Sequence, residues 1–168
     1  IYSQYISPHP DCFYCHHDKH INVSILTEKI AFIQELIRQN PEMETGGVLV
    51  GWTDEKGNIF VTDVSGPGPK ASQMATKFEK DVIYCQNFLD ELYELSLQKK
   101  VYVGEWHSHP SSNNKPSGTD IKSLSEIAIQ KEYLTDTPIM IIFSNSGEPS
   151  CTVHPAGKRY YYTNLEKK

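Results

Sequence analysis

The run IMIIF at 139–143 is the longest unbroken apolar stretch in the chain. It is far shorter than the roughly 20 residues a membrane helix needs, and within PIMIIFS at 138–144 it reads as a central strand. A central strand implies a sheet with other elements packed on it. Leu26, Ile30, Ile33 and Ile37 recur at three- and four-residue spacing, Thr27 can cap them and Pro41 closes the segment, which predicts a helix. TGGVLVGW at 45–52 and NIFVTDVS at 58–65 read as β-branched strands joined through DEKGN, which has hairpin-turn chemistry. GPGPKAS at 66–72 reads as a loop. Phe78 to Gln98 returns to helical period, with Ile83 or Cys85, then Phe88, Leu89, Leu92 and Leu95, on the apolar side. VYVGEWHSH at 101–109 is a strand that Pro110 ends, and Ile121, Leu124, Ile127 and Ala128 mark a further helix. A last strand pair is expected at Cys151–Val153 and Arg159–Thr163. No internal repeat and no Gly-rich phosphate fingerprint appears, so the expected class is α+β, a mixed sheet with two to three helices packed on it.

The 168 residues, without a composition break, suit one domain, taken as 22–168 after an N-terminal arm over 1–21. A net charge of -5 without a Lys/Arg cluster argues against nucleic acid and leaves proteins or peptides as expected partners. No membrane span is expected. Cysteines at 12, 15, 85 and 151 do not form the dense framework of a small secreted domain, so a reducing cytoplasm is the default location. Cys12 and Cys15, followed by His16, His17 and His20, could belong to a structural zinc site. The same string matches the short haem-attachment pattern, but nothing suggests an exported protein with a distant axial ligand. An ordinary arm is the plainest reading.

GEWHSHPSSNNKPSGTD at 104–120 carries the chemistry. On a strand, Glu105, His107 and His109 share one face, while Trp106 and Ser108 face the other. Neutral imidazoles are favoured donors for Zn²⁺, and a His-x-His pair at a strand end supplies two corners of a tetrahedron. Asp120 is the candidate third donor, since the intervening loop can fold back and Asp120 stands at a helix N-terminus. Three protein donors leave one position open, the catalytic arrangement. Ser117-x-x-Asp120 also resembles a capping box, which needs no metal, and the two readings are compatible.

His107-Ser108-His109-Pro110, then Ser117 and Asp120 at their fixed interval, resembles the signature of the JAMM, or MPN-plus, zinc metalloproteases. Glu44 in ETGGVLVG matches the family's upstream glutamate, and VGEW with the GPGPKA loop makes the resemblance closest to bacterial JAB-type members. It covers about residues 22–154. The resemblance implies a curved mixed sheet with zinc held at a strand end and a helix N-terminus by His107, His109 and Asp120. It implies Glu44 as the residue that holds and deprotonates the zinc-bound water, and Ser117 as the group that positions that water or stabilises an oxyanion. Spacing alone does not link Glu44 to His107, and Glu42, two residues before it, is its rival as base.

The resemblance further implies cleavage of an isopeptide or peptide bond after the C-terminal glycine of a ubiquitin-like protein. Activating and conjugating enzymes of ubiquitin-like pathways are implied as associates, some of them in antiphage systems. Gly66–Ser72 and residues 111–116 are expected to border a channel for the extended tail. The alternatives are an MPN-type scaffold that only holds partners, and a zinc hydrolase acting on another peptide or amide.

Overall fold

A computed structural model describes residues 11–17, 21–110, 113–145 and 148–167. In chain order the elements are β1 (Cys12–His17), β2 (Ile21–Leu26), α1 (Thr27–Gln39), β3 (Gly46–Thr53), β4 (Ile59–Val64), β5 (Ser72–Gln73), β6 (Phe78–Glu79), α2 (Val82–Leu95), β7 (Val101–His109), α3 (Gly118–Ile129), β8 (Ile139–Ser144), β9 (Ser150–Val153), β10 (Tyr161–Asn164) and β11 (Glu166–Lys167). Nine strands form one mixed sheet in the order β10-β9-β8-β7-β3-β4-β2-β1-β11, parallel at β2/β4 and β7/β8, and β5 and β6 form a separate ribbon. The two edge strands, β10 and β11, are separated in the chain by Leu165 alone, which is fully buried. The sheet must therefore curve until its edges meet.

The apolar run at 139–143 behaves as a central strand. Ile139, Ile141 and Phe143 join the main core with Val23, Ile25, Leu49, Ile59 and the α1 residues Ile30 and Ile33. Met140 and Ile142 point the other way, against Leu124 of α3. β3 is likewise covered on both sides, with Leu49 in the main core and Val48 and Val50 packed with Cys85, Tyr102 and Ile127. Each such side chain contributes about 1.5–3 kcal/mol on burial, and a one-residue slip would exchange the two faces. The register of the central strands is therefore strongly specified. No helix among the described residues is long and apolar enough to cross a membrane.

Several local expectations change. Residues 12–17 of the arm form β1, paired along its whole length with β2. Thr27 is the first residue inside α1 rather than its cap, and its Oγ1 is buried without a hydrogen-bond partner. The second helix starts at Val82, not Phe78, because the Asp81 carboxylate caps it by accepting the Tyr84 N–H at 3.1 Å, while Phe78 and Glu79 pair with β5. The DEKGN turn forms as expected: Asp54 Oδ1 accepts the N–H of both Lys56 and Asn58 at 2.9 Å, and Gly57 sits at φ +89°.

The arm does not build a second metal site among the described residues. Cys12 and Cys15 are three apart on one strand, so they face opposite sides of the sheet. Cys15 belongs to the main core, against Cys151, whereas Tyr14 and His16, on the other face, both bond Asn22 Oδ1. The His17 side chain and His20 lie outside the described residues.

Candidate metal centre and its cleft

β7 ends with its two histidines on one face, as the strand period requires, and their Nε2 atoms lie 2.9 Å apart. Asp120 reaches both from α3: its Oδ1 is 3.3 Å from His107 Nε2 and its Oδ2 is 3.4 Å from His109 Nε2. A tetrahedral site with bonds of 2.0–2.1 Å has edges of about 3.3–3.4 Å between donors, so these separations suit donors converging on one small cation. The ring orientation agrees. His109 Nδ1 lies 3.1 Å from the carbonyl oxygen of Asn113, which only accepts, so Nδ1 carries the hydrogen and Nε2 presents its lone pair to the centre. Two imidazoles and a carboxylate within 4.8 Å of one another form a site suited to a metal ion.

Asp120 is aimed by the start of its helix. Ser117 is the N-cap: its Oγ accepts the Asp120 N–H at 3.1 Å, and its own N–H donates to Asp120 Oδ2 at 2.7 Å, a complete capping box. The capping box leaves the same carboxylate facing both histidines, so the capping and metal readings of this segment are compatible. Burial alone would raise the pKa of Asp120, but its bonds to His107 and His109, the charge of His107 and the Ser117 N–H overcome this and hold it well below the usual carboxylate range. Reciprocally, the bond to Asp120 raises His109, against the opposing effect of burial.

Glu44 precedes β3 and comes to this centre through sheet register, which sets Gly46 opposite His107. Its backbone is held on both sides. The Glu44 N–H donates to the Met74 carbonyl at 2.7 Å, and the next N–H, of Thr45, donates to Ser108 Oγ at 3.0 Å. The Ser108 N–H returns a 2.9 Å bond to the Thr45 carbonyl. Desolvation raises the Glu44 pKa, partly offset by the positive potential of His107 and His109. Glu42 lies in the exposed turn before the strand and does not line the cleft.

Glu44, His107, His109, Ser117 and Asp120 share one cleft of about 920 Å³. Its walls are one face of α3 along its length, from Thr119 to Ile127, and the segment Thr76–Lys80. Glu105 lies in its floor, where Lys80 Nζ pairs with Oε1 at 2.6 Å and the Tyr102 hydroxyl donates to Oε2 at 2.9 Å. Gly66–Ser72 does not border the cleft: this loop is tied to the start of α2, with the Asp81 N–H donating to the Pro67 carbonyl at 2.9 Å and the Lys70 N–H to Asp81 Oδ2 at 3.1 Å. Residues 113–116 do not line it either, and 111–112 lie outside the described residues. The sequence reading missed Ser108. Its place on the strand face opposite the histidines was legible, but its bond to Thr45 exists only across two strands.

Similarity to known proteins follows the same residues. The model of prokaryotic homologues of the JAB domain matches residues 30–154. The chain is 31% identical over 121 residues to a protein named CD-NTase/cGAS isopeptidase from Enterobacter hormaechei, covering 68% of this chain and 64% of the relative. It is 29% identical over 108 residues to a probable metalloprotease of Sinorhizobium fredii, covering 64% and 66%, and 37% identical over 81 residues to a CD-NTase/cGAS isopeptidase of Escherichia coli, covering 48% and 51%. The chain thus spans just under two thirds of the first two relatives and about half of the third. A solution structure of a Desulfitobacterium hafniense protein shares the fold at a TM-score of 0.59 and 18% identity, over 88% of this chain and 89% of that one. With the matched segment reaching from α1 through β9 and carrying Glu44, both histidines and Asp120, the chain belongs to the prokaryotic homologues of the JAB domain.

Proposed function

We propose that this chain is a zinc-dependent isopeptidase or peptidase of the cytoplasm that cleaves after the C-terminal glycine of a ubiquitin-like protein, in a bacterial antiphage conjugation system. The observation that carries the reading is the convergence of the Glu44 carboxylate with His107, His109 and Asp120 in one cleft. Relatives named as isopeptidases and as a probable metalloprotease support the same chemistry. When bound, zinc polarises a carbonyl and lowers the pKa of water to about 7. His107 and His109 would hold it through their Nε2 atoms and Asp120 through its carboxylate, which the Ser117 cap orients.

Glu44 acts as the base, taking a proton on its carboxylate from water and returning it to the leaving amine. A carboxylate whose pKa is raised by desolvation is better matched to that task at neutral pH than a solvated one. Ser117 Oγ already accepts the Asp120 N–H, which leaves its hydroxyl hydrogen to donate to a developing oxyanion in the cleft.

The test is a pair of variants assayed on a ubiquitin-like protein with a C-terminal extension or lysine conjugate, with zinc measured on the same samples. Glu44→Gln is expected to keep zinc and lose turnover by about 10²–10⁴-fold. His107→Ala is expected to lose both. A fully active Glu44→Gln variant would remove Glu44 as the base, and a parent protein without zinc would remove the metal centre.

A further inference from the structure

His109 owes its orientation to the carbonyl of Asn113, at 3.1 Å, yet residues 113–116 carry no regular secondary structure that would fix this carbonyl. The next residue supplies the anchor. Asn114 Nδ2 donates both to the Glu148 carbonyl at 2.7 Å and to Asn164 Oδ1, on β10, at 2.9 Å. The Asn114 carbonyl accepts the hydroxyl of Ser150, a β9 residue with no solvent exposure. One residue is thus tied at three points to the C-terminal strands, and the peptide carbonyl immediately before it faces His109.

Resting on the metal-centre reading above, we infer that Asn114 is a positioning residue for the metal site. Together with Ser150 and Asn164 it holds the Asn113 carbonyl against His109 Nδ1, and so keeps the Nε2 lone pair aimed at the ion. An amide –NH₂ meets both partners at once, since the Glu148 carbonyl only accepts and Asn164 presents its Oδ1. The buried Ser150 hydroxyl matters most among the partners, because water cannot replace the bond it makes to the Asn114 carbonyl. Outer hydrogen bonds of this kind fix the tautomer and ring plane of a ligating histidine, and their loss typically weakens metal binding about 10- to 100-fold. The strand that closes the sheet through Leu165 thereby also contributes to the site, although neither β9 nor β10 carries a metal donor.

The experiment measures the zinc affinity of the full chain by competition with a chromophoric chelator, alongside the Tm of the metal-free protein. Asn114→Ala is expected to weaken zinc binding by roughly 10- to 100-fold, and Asn114→Asp as well, because a carboxylate would face the Glu148 carbonyl, which only accepts. Asn164→Ala, at an exposed side chain that folding tolerates, is expected to weaken binding less and in the same direction. A cobalt-substituted sample of each variant is expected to show altered visible bands, reporting a changed donor geometry. If Asn114→Ala and Asn164→Ala bind zinc within about twofold of the parent, whose binding is itself tight, the inference is overturned while the metal centre stands. A lowered Tm of the metal-free variants with unchanged affinity also overturns it, since that is what a purely structural anchor does. A parent that binds no zinc overturns the metal centre and this inference together.

Discussion

Replacing Ser108 by alanine takes one oxygen from a place water does not reach. Ser108 and Thr45 are 2% and 3% exposed, and Ser108 Oγ is the acceptor for the Thr45 N–H at 3.0 Å. Its second contact, 3.5 Å to the Thr45 carbonyl, is too long to count for much. The variant therefore leaves one buried amide unsatisfied, a cost of about 1–3 kcal/mol, or roughly 2–12 °C of Tm for a chain of this size. The larger consequence falls on Glu44, whose backbone is held by its own N–H to Met74 and, through Thr45, by the amide that Ser108 Oγ accepts. A displacement of about 1 Å at a reacting group costs on the order of 10²-fold in rate. The expected result is kcat down about 10²-fold with zinc content intact, since Ser108 bonds neither histidine nor Asp120. Steady-state kinetics on a ubiquitin-like substrate, zinc analysis and a thermal melt read the three quantities separately. Near-parental kcat with the Tm loss would refute the reasoning, as would loss of zinc in step with kcat.

Gly46→Ala would bring a Cβ to 2.5 Å from the Trp106 carbonyl and 2.7 Å from the Phe78 ring, so a thermal melt is expected to show a loss of about 1–3 kcal/mol, with turnover falling as the cleft wall shifts. Zinc analysis is expected to give about one ion per chain, unchanged by joint Cys12→Ser and Cys15→Ser substitution; a value near two would contradict the opposed faces of β1. In the metal-free protein, Asp120 is held below its ordinary 3.8, so its stabilising contribution is present above pH 3.8 and is lost as acid protonates the folded state below that. His109 is raised above 6.5, so its contribution is full below pH 6.5 and is lost as pH climbs through the raised value. The Tm of chelated protein should therefore be highest between those limits, and Asp120→Asn should flatten both flanks; an unchanged profile would sink this assignment.

Features within one element were legible in the sequence. Strand alternation alone puts His107 and His109 on one face, and Ser117-x-x-Asp120 alone specifies a helix start that orients a carboxylate, because strand period and cap geometry are local. The same rule shows that Cys12 and Cys15 diverge, but only once residues 12–17 are known to be a strand, and that depends on β2 and β11 lying alongside. The fate of GPGPKAS was decided by Asp81, whose cap gathers the loop against α2 and leaves Thr76–Lys80 to wall the cleft.

Glu44 shows the division most sharply. Motif resemblance pointed to it, yet no spacing rule connects residue 44 to 107; pairing of β3 with β7 does so by setting Gly46 opposite His107. The sequence gives no sign of the bonds that Ser108 and Asn114 make, since each joins a segment remote in the chain. The sequence by itself determined which donors exist and which way each local element points them. Only the tertiary structure decided which of them meet, because strand register and long-range hydrogen bonds are properties of the assembled sheet.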